Sequence, residues 1–137
     1  NSVIKKINLE KEYKKRYNNL SGGQKRRVCI GISIINKPKI LFLDEPTTGI
    51  DPEGRRDIWN LIKKLSNNGT TIFFTTHYME EAEKLADTVG ILNNGELVTV
   101  GDPQKLIKEK GGDSKLICKK EDNSNNSIDE KRTKAYT

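Results

Sequence analysis

Two carboxylates stand side by side at the end of an apolar run, Ile40-Leu41-Phe42-Leu43-Asp44-Glu45. Adjacent acids suit phosphoryl transfer because they can divide two tasks. Asp44 would hold Mg²⁺, directly or through a water, so that the ion offsets charge on the phosphates. Glu45, one position further along, would polarise an attacking water as general base. His77 follows a second apolar run and would contact the terminal phosphate and that water. Upstream, Leu20-Ser21-Gly22-Gly23-Gln24 offers a different chemistry. A helix N-terminus presents free N–H groups and a partial positive charge, and glycines let the backbone approach a phosphate closely. Each group alone has a plainer reading: Asp44 capping the turn at Glu45-Pro46, His77 an ordinary polar residue, Ser-Gly-Gly a capped turn. As an ordered set they favour function. No Gly-x-x-x-x-Gly-Lys-Ser/Thr stretch occurs in the sequence, so the loop that would cradle the phosphates is not in this chain.

The elements that must position these residues are legible in the pattern. Residues 1–19 read as a short helix, a turn near Asn8 and a second helical piece carrying Tyr13 and Tyr17. Ser21 is an N-cap for a helix from about Gly23 to Asn36, with Pro38 as a stop signal. Val28, Ile30, Ile32, Ile34 and Ile35 favour strand on propensity, but length and the cap point to a buried helix. Ile40–Leu43 reads as a central parallel strand covered on both faces. Asp51-Pro52 supplies an N-cap and first-turn proline, and Ile58, Leu61, Ile62 and Leu65 recur on one helical face ending before Gly69. Thr70–Thr75 is the next strand, and Met79–Ala86 a helix with Ala82, Leu85 and Ala86 inward. Val89–Leu92 and Glu96–Val100 flank the hairpin signal Asn93-Asn94-Gly95, and Pro103 begins a helix that stops at Gly111-Gly112. Strand and helix alternate in the order of a doubly wound α/β sheet, in which ligands bind beyond the carboxyl ends of the strands, where Asp44, Glu45 and His77 fall.

Composition bounds what such a chain can be. With 137 residues and an apolar fraction of 33%, it forms one domain with a modest core, or part of a larger one. The apolar residues concentrate between Val28 and Val100, whereas residues 119–137 are nearly all polar and read as a disordered tail or linker. The net charge of +6 comes from basic residues interleaved with acids, without an aromatic-plus-basic platform, so nucleic acid is not an expected partner. Cys29 and Cys118 fit reduced thiols rather than a disulfide framework. No run approaches the roughly 18 apolar residues of a membrane span, and no signal-peptide pattern opens the chain. A start at Asn1-Ser2-Val3, without methionine, suggests a fragment.

These residues resemble the ATP-binding cassette family. Leu20–Gln24 is similar to its signature motif, Ile40–Glu45 to Walker B with its catalytic glutamate, Gly49-Ile50-Asp51 to the D-loop and His77 to the switch histidine. The likeness covers residues 1–118 and implies a partial P-loop NTPase fold without the Walker A lobe. It further implies two ATP molecules, with Mg²⁺, sandwiched between paired cassettes. Ser21, Gly22, Gly23 and Gln24 would grip the partner's nucleotide, Asp51 of the D-loop-like segment would also bind nucleotide, and Asp44, Glu45 and His77 would serve this chain's own. The partners implied are a second cassette, in the same or another chain, and transmembrane domains that hold the protein at the cytoplasmic face of a membrane. Lys25-Arg26-Arg27, Thr47 to Pro52 and Arg55 to Trp59 look like the A subfamily of eukaryotic transporters, which typically moves lipids; bacterial drug and polysaccharide exporters share the first segments. A soluble cassette acting on ribosomes or DNA is disfavoured by Glu45-Pro46-Thr47-Thr48-Gly49-Ile50-Asp51, whereas a truncated, non-enzymatic remnant stays open. A sheet lacking the strand into Walker A would expose apolar surface and an unpaired edge, so low solubility is expected of the chain alone.

Overall fold

A computed structural model describes residues 2–110 and 115–120, with side chains over 3–106. The N-terminal part is helical: α1 (Ser2–Lys6), a single 3₁₀ turn at Tyr17–Asn19, and α2 (Gly22–Ser33). Asn8 turns the chain with φ +53. α2 is a helix despite its β-branched residues because Ser21 caps it, and because Ile30 and Ile34 bury one face against Ile7 and Leu9. It ends three residues earlier than its sequence pattern suggested. Arg27 ties this helix to its surroundings: its guanidinium donates to the carbonyl of Asn8 at 3.2 Å and pairs with Asp57 at 3.3 Å.

Beyond it come β1 (Ile40–Asp44), α3 (Pro52–Asn67), β2 (Thr71–Thr76), α4 (Met79–Leu85), the hairpin β3 (Thr88–Asn93) and β4 (Glu96–Gly101), α5 (Pro103–Lys110) and β5 (Lys115–Lys120). Asp51 caps α3 with Pro52 in the first turn, and Ile58, Leu61, Ile62 and Leu65 are all buried, as the spacing predicts. The two-residue hairpin loop puts Asn94 at φ +50 and Gly95 at φ +82, the primed geometry that matches strand twist.

The five strands lie in the order β1-β2-β5-β3-β4. β1 and β2 are parallel neighbours, with Asp44 opposite Thr75; β5 pairs antiparallel with both β2 and β3, and β4 antiparallel with β3. Thus β1, β2 and β3 run the same way, as expected of the doubly wound class. Strand β5 extends to Lys120, two residues into the stretch read as a tail; residues 121–137 lie outside the described residues.

One expectation is corrected. β1 is an edge strand of this sheet, and among the described residues only one of its faces is covered: Leu41 is buried, whereas Ile40 is 55% and Phe42 70% exposed. A short apolar run reports β-propensity but cannot tell a strand covered on both faces from one covered on a single face. The covered face lies in a core that includes Ile58, Ile62, Ile72, Phe74 and Leu85.

Candidate functional site

Asp44 ends β1, and Glu45 turns the chain away from the sheet with φ +42, a left-handed conformation uncommon for a residue with a side chain. Parallel pairing places Thr75 beside this turn, and it is gripped there. The Thr75 hydroxyl donates to Asp44 Oδ1 and accepts from the Glu45 N–H at 3.1 Å, while the Thr75 carbonyl accepts from the same N–H at 3.1 Å. His77 lies just past the end of β2, and its Nδ1 stands 3.6 Å from Glu45 Oε1. Both side chains keep access to solvent, His77 at 46% and Glu45 at 32%. The Thr48 hydroxyl donates to Glu45 Oε2 at 3.1 Å. The three residues singled out for phosphoryl chemistry therefore do converge on one edge of the sheet.

The residues of the Ser21–Gln24 turn are arranged differently. Gln24 N–H donates to Ser21 Oγ at 3.2 Å and Ser21 N–H to Gln24 Oε1 at 3.0 Å, a reciprocal capping box. Gly22 and Gly23 begin the helix between them. A Cβ on Gly23 would lie 3.1 Å from the Gly54 backbone, and one on Gly54 would lie 3.5 Å from the Gly23 backbone, so the first turns of α2 and α3 touch backbone to backbone. This contact sets Ser21–Gln24 against Ile50-Asp51, where Gly49 takes φ +73. Asp51 itself accepts from Gly54 N–H at 3.1 Å, the N-cap of α3.

Several residues that hold the site were not singled out from the sequence. Arg26, on α2, donates from Nε to the Pro46 carbonyl at 2.9 Å and from Nη2 to the carbonyls of Asp44 at 2.9 Å and Glu45 at 2.6 Å. Glu81, on α4, is fully buried, and its Oε1 accepts from the Thr47 hydroxyl and from Trp59 Nε1, each at 2.9 Å. Oε2 of Glu81 has no hydrogen-bond partner among the described residues. An acid four residues after the histidine, on the same side of α4 as Ala82 and Leu85, is the one sequence signal that could have marked it.

As for a metal, the described residues contain no group of three or more His, Cys, Asp or Glu side chains that could hold an ion. Mg²⁺ keeps several waters and is bound through one or two carboxylates plus substrate phosphates. Asp44, an exposed residue at a strand's carboxyl end, fits that limited role.

Comparison with known proteins gives the family. The family model described as ABC transporter matches residues 1–48. The linearmycin resistance ATP-binding protein of Bacillus subtilis is 41% identical over 112 residues, covering 82% of this chain and 36% of the relative. The Nod factor export ATP-binding protein I of Rhizobium meliloti is 45% identical over 81% of this chain and 33% of the relative. The ABC transporter A family member 12 of Arabidopsis thaliana is 49% identical over 69% of this chain and 10% of its own length. Among solved structures, cbiO1 from Clostridium perfringens, part of an ABC transporter complex, superposes with a TM-score of 0.72 at 34% identity, over 80% of this chain and 44% of that one. The chain belongs to the ATP-binding cassette family and has part of its P-loop NTPase fold. It spans about a third of the length of the first two relatives.

Proposed function

We propose that this chain supplies the hydrolytic edge and the signature turn of an ATP-binding cassette that powers transport across a membrane. The observation that carries the reading is the convergence of Asp44, Glu45 and His77 at the carboxyl ends of the parallel neighbours β1 and β2. Glu45 is the general base for the attacking water: its side chain reaches solvent, and its backbone is held by Thr75 at both N–H contacts. His77, 3.6 Å from that carboxylate, is placed to hold the water and the terminal phosphate in line. Asp44 would hold Mg²⁺, which when bound neutralises charge on the phosphates. Gly22 and Gly23 bind the nucleotide of a second cassette through the N–H groups that open α2, and Ser21 through its hydroxyl, since its own N–H is taken by Gln24. Gln24 fixes that turn from within through the capping box, and Asp51 caps α3, on whose Gly54 the turn packs.

The phosphate-cradling loop lies outside this sequence, and no helix among the described residues is long and apolar enough to cross a membrane. A second cassette, the Walker A loop and transmembrane domains at the cytoplasmic face of the membrane complete the machine in this reading. As for cargo, the relatives' names speak of linearmycin resistance, daunorubicin resistance and Nod factor export, and the A-family likeness is what supports a lipid.

The test is Glu45→Gln in the full-length protein. ATP binding is expected to persist while phosphate release falls by about a hundredfold or more, the size of a lost general base. An unchanged rate would remove Glu45 from that role.

A further inference from the structure

Arg26 holds the turn on which the proposed chemistry depends, yet it sits on the helix that begins at the signature. Its guanidinium is a planar, permanently charged fork, and here the fork is filled by three successive carbonyls, those of Asp44, Glu45 and Pro46. Contacts to consecutive carbonyls define the path of a backbone and not merely one dihedral angle. The middle residue, Glu45, is the one at φ +42, a conformation that persists only where the surroundings over-determine it. Thr75 fixes its N–H from the β2 side, and Arg26 fixes its carbonyl from the α2 side. Where the Glu45 carboxylate points therefore depends on where α2 lies.

The other end of this lever is the Ser21–Gln24 turn. Gly22 precedes Arg26 by four positions on the same helix, about one turn of it. A single helical turn, closed by the capping box and packed on Gly54 through Gly23, moves as one piece. We propose that Arg26 is a positioning residue that couples the two nucleotide sites of a cassette pair. When the partner's nucleotide engages Ser21-Gly22-Gly23, the first turn of α2 takes up its closed position. Arg26 transmits that position to the Asp44–Pro46 backbone, and so to Glu45 beside this chain's own nucleotide. Hydrolysis in one site then responds to occupancy of the other. The inference rests on the assignments of Glu45 and of the Ser21 turn made above.

The experiment compares the full-length protein with its Arg26→Gln, Arg26→Lys and Glu45→Gln variants in Mg-ATP. It reads equilibrium binding of a fluorescent ATP analogue, kcat, KM, the Hill coefficient for ATP and Tm. Arg26→Gln is expected to lower kcat by about tenfold, with analogue affinity and KM held within about twofold, and to bring the Hill coefficient toward unity. Arg26→Lys keeps the charge but not the fork, so it should fall between the parent and Arg26→Gln. If Arg26→Gln does not fold, the lysine variant decides on the same readouts. Parental kcat and Hill coefficient in the Arg26 variants would overturn the coupling. So would a parallel loss of Tm, analogue binding and turnover, which is what a mere structural brace predicts. The controls separate this failure from that of the underlying reading: if the parent releases no phosphate, or Glu45→Gln releases it normally, the function itself is misassigned.

Discussion

The turn at Ser21–Gln24 closes on itself, whereas the turn at Asp44–Thr47 is held by residues from three other elements. In the first, both hydrogen bonds join residues three apart. In the second, the partners come from Arg26, 18 to 20 residues back, from Thr75, 30 or 31 ahead, and from Glu81, 34 ahead. A local cap forms as soon as its helix does. A turn held from α2, β2 and α4 exists only when the whole domain is packed, and it carries a residue at positive φ that local preference would not choose. In the proposed reading, the nucleotide-gripping turn is closed by its own hydrogen bonds, while the water-activating turn is built from long-range contacts that can be perturbed from several elements.

Substitutions can set the two regions apart. The largest effect is expected from Glu81→Ala, which leaves the Thr47 hydroxyl and the Trp59 N–H buried without their acceptor. Denaturant unfolding should show a loss of about 2–4 kcal/mol, against a much smaller loss for Glu81→Gln, which keeps an acceptor oxygen. Equal losses would mean that packing, not hydrogen bonding, holds Glu81. Next in size is Ser21→Ala. Removing the cap should cost about 1 kcal/mol and weaken ATP-dependent cassette pairing more than ATP binding to a single cassette. A matching loss in both would contradict the assignment of this turn to the partner's nucleotide.

The smallest effect belongs to Glu80, one residue before Glu81 but on the solvent side. A hydrogen bond from Lys84 and its charge hold the Glu80 carboxyl below the usual carboxylate range. Because the folded value is the lower one, its contribution is present at neutral pH and lost as pH falls through that lowered value. Glu80→Gln should differ slightly from the parent at pH 7, and the gap should close on acidification or in high salt. A pH-independent difference would point to something other than this ion pair.

Legibility in the sequence divided along the same line. Ser21 as a cap, Asp51-Pro52 as a helix start, the Ile58–Leu65 stripe and the Asn94-Gly95 hairpin were all readable, since each is a pattern within a few residues. The one-sided burial of β1 was not, because Phe42 and Leu41 are equally apolar and only neighbouring elements decide which is covered. Nor was Arg26 distinguishable from Lys25 and Arg27 beside it. The three side chains leave α2 at different angles, and only the arginine facing the end of β1 meets the carbonyls.

By itself the sequence determined which groups are available and in what order they come: two acids after a strand, a histidine after the next, a capped glycine turn before both. These follow from residue type and short spacing. Tertiary structure alone decided that Thr75 falls opposite Asp44, that Glu81 reaches Thr47 and Trp59, and that one guanidinium spans three carbonyls. Such contacts depend on strand register and helix placement, which the packing of the entire domain sets and no single segment encodes.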